Sequence, residues 1–309
     1  MSPAAKARAQ IHFCVFLWGF TAILGKLITL AALPLVWWRM LLVSGTLLLV
    51  PRVWRALRAL PSRLRLAYAG IGVLVSLHWL TFYGAIKLAN ASVAATCIAI
   101  APLFLAFLEP LLARRRFDAR ELLLALAVLP GVALVVDGVP AAMRLGVAVG
   151  VLSALLVASF SALNKRLVEH ADPLAVTALE LGSGAAFLTL LAPLLPHAGA
   201  AYPLPDRHDA ILLLTLAYAC TLLPFALSLH ALRNISAFGM QLITNLEPVY
   251  AIVLAIVLLH EQRVLEGRFY VGVAIILLAV FAHPLLARGG RRDAQPELLA
   301  TAEAKNVAE

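Results

Sequence analysis

Apolar stretches of about twenty residues, each long enough to cross a bilayer as a helix, follow one another along most of the chain. Short clusters of Pro, Gly or charge interrupt them. The pattern predicts transmembrane helices near residues 11–30, 34–51, 66–86, 91–112, 121–137, 145–164, 173–195, 209–232, 236–258 and 269–287. The connections are short; the longest are 52–65 and 196–208, the latter with Pro203 and Pro205. The first stretch is too long for the apolar region of a secretory signal and lacks a small-residue cleavage site, so it reads as a retained first helix. Residues 288–309 are polar and aperiodic. They read as a disordered cytoplasmic tail, with Arg288, Arg291 and Arg292 placed to rest on anionic lipid.

Composition removes the alternatives. Of 309 residues, 63% are hydrophobic and 13% charged, with a mean hydropathy of +0.95, whereas a soluble domain carries about a quarter charged residues. Little chain remains outside the spans for a soluble domain. A secreted disulfide scaffold, a coiled coil and a disordered protein are excluded. The fold class expected is therefore an all-α integral membrane protein. Cys14, Cys97 and Cys220 all fall inside apolar stretches, where thiols act as small packing residues rather than as a disulfide framework.

A net charge of +9 would suggest nucleic acid in a soluble protein; here it sorts by loop, and no nucleic-acid partner is expected. With the N-terminus inside, 18 Lys and Arg residues fall on the cytoplasmic side, including Arg114–Arg116 and the five arginines of 52–65, against six on the outer side. The positive-inside rule then places both termini in the cytoplasm, in the cell (cytoplasmic) membrane.

The chain also repeats itself. A shift of 146 residues places Ala85 on Ala231, Lys87 on Arg233, Ala91 on Ala237 and Pro102 on Pro248; a shift of 139 places Lys26 on Lys165 and Pro34 on Pro173. Ten transmembrane helices then form two five-helix repeats, 11–139 and 145–287. Five is odd, so the second repeat is inverted. Inverted repeats are a transporter architecture, with solute bound near the midplane between them.

Several motifs carry a family resemblance: Trp18-Gly19 in the first span, Arg39 in the second, AIKLANASVAA over Ala85–Ala95, Pro102, Leu246-Glu247-Pro248-Val249, and Glu261. In their order and spacing the chain resembles the drug/metabolite transporter superfamily, in particular the ten-helix EamA-like transporters, over the whole membrane region. One departure is that Arg115 stands where the internal repeat would match Glu261. The resemblance implies a secondary transporter.

A charge at the bilayer centre costs about 2.5–3.5 kcal/mol on insertion scales, so each intramembrane ionisable residue is a candidate site. Glu247, with Gln241, Thr244 and Asn245, forms a polar arc on the ninth span that faces other helices or a cavity. Arg39 either neutralises a substrate carboxylate or phosphate, pairs with Glu247 or Glu180, or snorkels outward beside Trp37 and Trp38. Glu180 reads as a proton site or as one half of a salt bridge. His78 reads as a relay or as hydrogen-bonded structure. Ser76, Trp79, Tyr83 and Lys87 share one face of the third span, and Trp18, Thr21 and Gly25 one face of the first; either face suits a pocket wall for an organic solute or a packing seam. Glu109, Lys26 and Lys87 read as interfacial, and Gly70, Gly72, Gly146, Gly150, Gly182 and Gly184 as helix-packing residues.

Neither a P-loop nor a serine-nucleophile elbow is present, and no metal-ligand spacing. The expectation is a non-enzymatic secondary transporter without cofactor or metal, a monomer or homodimer. It exports a small metabolite by alternating access, with protons as the coupling ion and Glu247 as their carrier. The alternatives are an exchanger of phosphorylated sugars or nucleotide sugars, and a membrane-embedded enzyme acting on lipid-linked substrates.

Overall fold

The computed structural model describes residues 3–112, 126–167, 171–195, 200–231, 243–244 and 246–286. The expected tail lies outside them, as do Gln241 and Asn245. Among the described residues the chain is helical, without strands. The helices are α1 (Pro3–Leu27), α2 (Ala32–Leu48), α3 (Pro51–Ala59), α4 (Ser62–Leu88), α5 (Ala91–Ile98), α6 (Ala101–Leu112), α7 (Leu129–Asp137), α8 (Arg144–Leu167), α9 (Pro173–Leu191), α10 (Arg207–Leu214), α11 (Leu223–Ala231), α12 (Glu247–Leu259) and α13 (Gly267–Leu286). Five helical stretches are long and apolar enough to cross a membrane, six if α2 and α3 form one bent crossing; α12 and Gly267–Ala279 are shorter apolar helices.

Burial is inverted relative to a soluble protein. Alanine dominates the buried set, from Ala7 and Ala22 to Ala251 and Ala255, while leucines such as Leu66, Leu190, Leu194 and Leu278 are exposed. Lipid is as apolar as leucine, so nothing drives large side chains inward; small residues between helices let backbones approach. Gly72 and Gly184 show how close. A Cβ on Gly72 would lie 2.2 Å from the Glu180 carbonyl oxygen, and one on Gly184 2.8 Å from the Gly72 carbonyl oxygen. Gly146 meets Ala89 and Gly150 meets Cys97 in the same way. Gly70 and Gly182 depart from the packing expectation: a Cβ on Gly70 meets open space, and one on Gly182 only Ser44 at 3.8 Å.

Three elements differ from the expected windows. Helix α1 begins at Pro3, because Ala7 and Ile11 find partners in Ala231 and Ile243. The connection 52–65 contains α3, turned 91° from α2. Its Val53, Ala56, Leu57 and Leu60 recur at helical spacing and turn inward, while Arg52, Arg55 and Arg58 are exposed. The fourth span breaks between α5 and α6, where Pro102 offers no N–H to the Ile98 carbonyl.

The largest interfaces all join a helix before residue 138 to one after residue 143. Helix α4 packs on α8 and α9, α2 on α9, α1 on α11 and α12, α5 on α8 and α12, α6 on α8, and α7 on α13. The two halves of the chain are interlocked rather than set side by side.

At one end, buried carboxylates hold the connections together. Glu261 accepts hydrogen bonds from the backbone N–H groups of Ala91 (2.9 Å) and Ser92 (2.8 Å), and Asn90 accepts from that of Val93 (2.9 Å). All three leading N–H groups of α5, which an isolated helix leaves unpaired, are thus satisfied by side chains. Asp209 accepts from Thr29 N (2.8 Å), Thr29 Oγ1 (2.7 Å) and Leu30 N (3.1 Å), tying the α1–α2 connection to α10. Lys87 donates to the Ile28 carbonyl beside it. At the opposite end Arg52 meets Asp172 at 3.0 Å.

Candidate functional site

Arg39 sits seven residues into α2 and is 5% exposed. It does not snorkel. Its Nε donates to Thr221 Oγ1 (2.9 Å), one guanidinium nitrogen donates to the Tyr83 hydroxyl (2.7 Å), and the guanidinium lies 3.8 Å from the centre of the Trp79 ring. Trp37 and Trp38, its expected interfacial neighbours, instead donate to Thr189 Oγ1 (2.8 Å) and the Pro203 carbonyl (3.0 Å).

Thr221 reaches Arg39 through a local irregularity. Residues Thr215–Leu222, between α10 and α11, form a π-helix. Pro224 lacks the N–H that an α-helix would direct at Cys220, and the Thr221 hydroxyl donates to the Leu216 carbonyl, five residues back, at 2.8 Å. Widened turns of this kind cluster at functional sites. With its proton directed at Leu216, Thr221 Oγ1 presents lone pairs to Arg39. Tyr83 is placed by Gly25, where a Cβ would lie 2.4 Å from the tyrosine ring.

Beside this cluster, Trp18 and Thr21 of α1, Phe82 of α4, Ala95 and Ile98 of α5 and Glu247 at the head of α12 line a narrow crevice of about 10 Å³, room for about one water. Glu247 lies within Coulombic reach of Arg39, but the two form no ion pair. No carboxylate of the described residues comes within 4.0 Å of Arg39. A buried cation here is therefore solvated by two hydroxyls and an aromatic face. Such a cradle orients the fork of a guanidinium and leaves its charge open to an anion.

The expected residues thus divide into groups. Arg39, Trp79 and Tyr83 come together, and Trp18 and Glu247 line the adjoining crevice. His78 is engaged elsewhere: its Nδ1 lies 3.0 Å from the Ser153 carbonyl, and Ser153 Oγ donates to the His78 carbonyl at 2.9 Å, stitching α4 to α8. Glu180, on α9, meets neither Arg39 nor Glu247. Gln241 and Asn245 lie outside the described residues. Of the shared face on the third span, Ser76 turns back to the Val73 carbonyl (2.8 Å).

Thr221 and Phe82 were not singled out in the sequence. Pro224 three residues after a threonine was the only local signal for the first, and none marked the second. Asp206, His208 and Asp209 bring ligand atoms within 4.8 Å of one another. Both carboxylates are already engaged, Asp206 in capping Asp209 N (2.8 Å) and Asp209 with Thr29 and Leu30.

A model of the EamA-like transporter family matches residues 10–137 and 144–283. The chain belongs to this family. It is accordingly a multi-pass membrane protein of the drug/metabolite transporter superfamily, and a transporter of small solutes rather than an enzyme. One solved structure, described only as "Crystal structure of protein", superposes with a TM-score of 0.61 at 17% identity, covering 92% of this chain and 98% of its own. At that identity the likeness is one of fold. No curated protein matches the chain. The Arg39 cluster and the Glu247 crevice are therefore the candidate solute site of an EamA-like transporter.

Proposed function

We propose that this EamA-like transporter exports a small metabolite bearing a carboxylate or phosphate across the cytoplasmic membrane, and that Arg39 binds the anionic group. The observation that carries the reading is a buried guanidinium with oriented neutral partners and, among the described residues, no carboxylate in contact. Uncompensated charge at this depth is costly, and it marks solute pathways. Trp18, Trp79 and Tyr83 give the site aromatic walls for an organic solute. Glu247, across the crevice, suits a positive or hydrogen-bond-donating group on the same molecule.

The architecture proposed is ten crossings as two inverted repeats, 11–139 and 145–287, with both termini cytoplasmic. Two observations support it besides the 18-to-6 distribution of basic residues. The family match falls in two successive stretches of similar length. Interfaces also come in pairs under exchange of the halves: α4 on α8 answers α11 on α1, and α6 on α8 answers α1 on α12. Helices that occupy the same place in each half, α2 with α9 and α7 with α13, pack on one another, as elements beside a pseudo-twofold axis must. Because the halves interlock, alternating access would move bundles that mix helices of both, not one repeat against the other.

The test is export and counterflow. Extracellular metabolites from cells producing wild type, Arg39→Lys or Arg39→Gln at matched levels would be compared by mass spectrometry. The accumulating compound would then be used for counterflow in proteoliposomes. An anionic compound exported by wild type and lost in Arg39→Gln is the expected result. Export of a purely cationic compound, or counterflow unchanged in Arg39→Gln, overturns the assignment. Flux that depends strictly on trans substrate would favour the phosphorylated-sugar exchanger.

A further inference from the structure

We propose that Glu180 of α9 is a proton-binding site, separate from the Arg39 site, and that its proton drives transport; the second clause rests on the transporter reading above. Glu180 lies about 10 Å along α9 from the helix start, at 1.5 Å per residue, within a stretch long and apolar enough to cross a membrane. The residue is 8% exposed. Its Oε1 is buried without a hydrogen-bond partner, and so is Oδ1 of Asn164 on α8. The two residues share a single long contact, Asn164 Nδ2 to Glu180 Oε2 at 3.5 Å.

The donors around them are committed elsewhere. The Tyr68 hydroxyl of α4, in electrostatic range of Glu180, donates to the Leu167 carbonyl at 2.6 Å. Ser183 directs its hydroxyl at the carbonyls of Ala69 and Glu180, both at 3.1 Å. Among the described side chains, charged groups on the packed elements are engaged too or lie in solvent. Arg39 of α2 is held by Tyr83 and Thr221. Arg52 of α3 meets Asp172, Arg58 lies 5.7 Å from the Trp54 ring centre, and Arg55 is exposed. His78, further along α4, is tied to Ser153.

An ionised carboxylate left in this position would keep the full penalty of desolvation without a partner, so the group neutralises instead. A proton on Glu180 resolves both unpaired oxygens at once: the acid becomes a donor, and Asn164 Oδ1 becomes its acceptor. A metal cation fits less well. Hard cations take about six oxygens, and the carbonyls of Ala69 and Glu180 are already accepting from Ser183.

The arrangement separates two tasks. The acid facing the solute crevice, Glu247, has Arg39 within Coulombic reach, while Glu180 forms no ion pair among the described residues and can hold or release a proton as its surroundings become dry or wet. The Asp172 end of α9 lies two turns away, on the cytoplasmic side in the proposed topology, which gives a short route for releasing that proton inward. Taking up a proton at Glu180 while solute leaves Arg39 makes export an antiport.

The test begins with purified wild type in detergent and needs no substrate. Infrared spectra at neutral pH should contain a protonated-carboxyl C=O band that disappears in Glu180→Gln, persists in Glu247→Gln, and shifts in Asn164→Leu, where its acceptor is removed. A band that survives Glu180→Gln, or a wild-type band that sodium chloride abolishes, overturns the proton site. Proteoliposomes then separate coupling from binding. Glu180→Gln should retain counterflow and lose accumulation driven by a pH gradient. If the mutant still responds to the gradient as wild type does, the coupling role fails. Should wild type move no solute at all, the transporter reading fails while the infrared result still decides the proton site.

Discussion

Removing Glu261 tests whether buried carboxylates hold the connections at one end of the molecule. In Glu261→Ala the N–H groups of Ala91 and Ser92 lose acceptors at 2.9 and 2.8 Å. A hydrogen bond to a charged group contributes about 1.5–3 kcal/mol, and leaving a buried donor unpaired costs about 1–3 kcal/mol. Gln262 and Arg263 beside it are exposed, so water can replace part of what is lost. We therefore take the low end for both bonds, about 3 kcal/mol in total. Glu261→Gln keeps one oxygen but turns an amide donor toward the other N–H, for a loss of about 2 kcal/mol.

Two assays read this. Unfolding in mixed micelles, titrated with sodium dodecyl sulfate, should rank wild type above Gln above Ala. Hydrogen exchange of the Ala91–Val93 amides should accelerate about a hundredfold in Glu261→Ala if opening of this end follows the same free energy. Equal stability of Ala and wild type, with unchanged exchange over α5, would refute the reasoning, because it would mean that those N–H groups have other partners.

Two further outcomes follow from local geometry. Gly72→Ala should destabilise by about 1–3 kcal/mol through overpacking, since its Cβ would meet the Glu180 carbonyl at 2.2 Å, while Gly70→Ala, in open space, should be neutral or gain up to about 1 kcal/mol of helix propensity; equal micelle unfolding of the two variants would contradict the close α4–α9 contact. Asp172→Ala should cost about 1 kcal/mol, because Asp172 caps α9 by accepting from Leu174 N (3.0 Å) and Ala175 N (3.2 Å), whereas Arg52→Ala should change stability by less than about 1 kcal/mol, its side chain being 73% exposed; the same unfolding titration distinguishes them, and a larger loss for Arg52→Ala would reverse the assignment.

The membrane class was legible because membrane helices announce themselves by length and apolarity, without reference to partners, and the family resemblance was legible in short motifs from Trp18-Gly19 to Leu246-Glu247-Pro248-Val249. The Trp79–Tyr83 face was legible too, since positions four apart on a helix must share a side. Arg39 was recognised as exceptional, but its three possible roles could not be separated. Its hydroxyl partners come from α4 and from the π-helix before α11, far apart in the chain, and only packing brings them to α2. The same holds for Glu261, which resembled a terminal acid of its own span and proves to cap α5, 170 residues earlier. His78 shows the converse: a mid-span histidine looked equally suited to relay or structure, and its contact with Ser153 depends on how α4 meets α8.

What the chain alone determined was its solvent. Runs of about twenty apolar residues have no stable home but a bilayer, and the asymmetry of Lys and Arg carries the expected orientation. What tertiary structure decided was which charges meet. Glu180 and Glu247 are both acids within apolar helices, and the polar arc around Glu247 marks a face without naming its partner. Packing places Arg39 within Coulombic reach of Glu247 and leaves one Glu180 oxygen, Oε1, and Asn164 Oδ1 without hydrogen-bond partners. In a medium of low dielectric a few ångströms decide how strongly a buried carboxyl feels a cation, because Coulomb energy there is not screened by water.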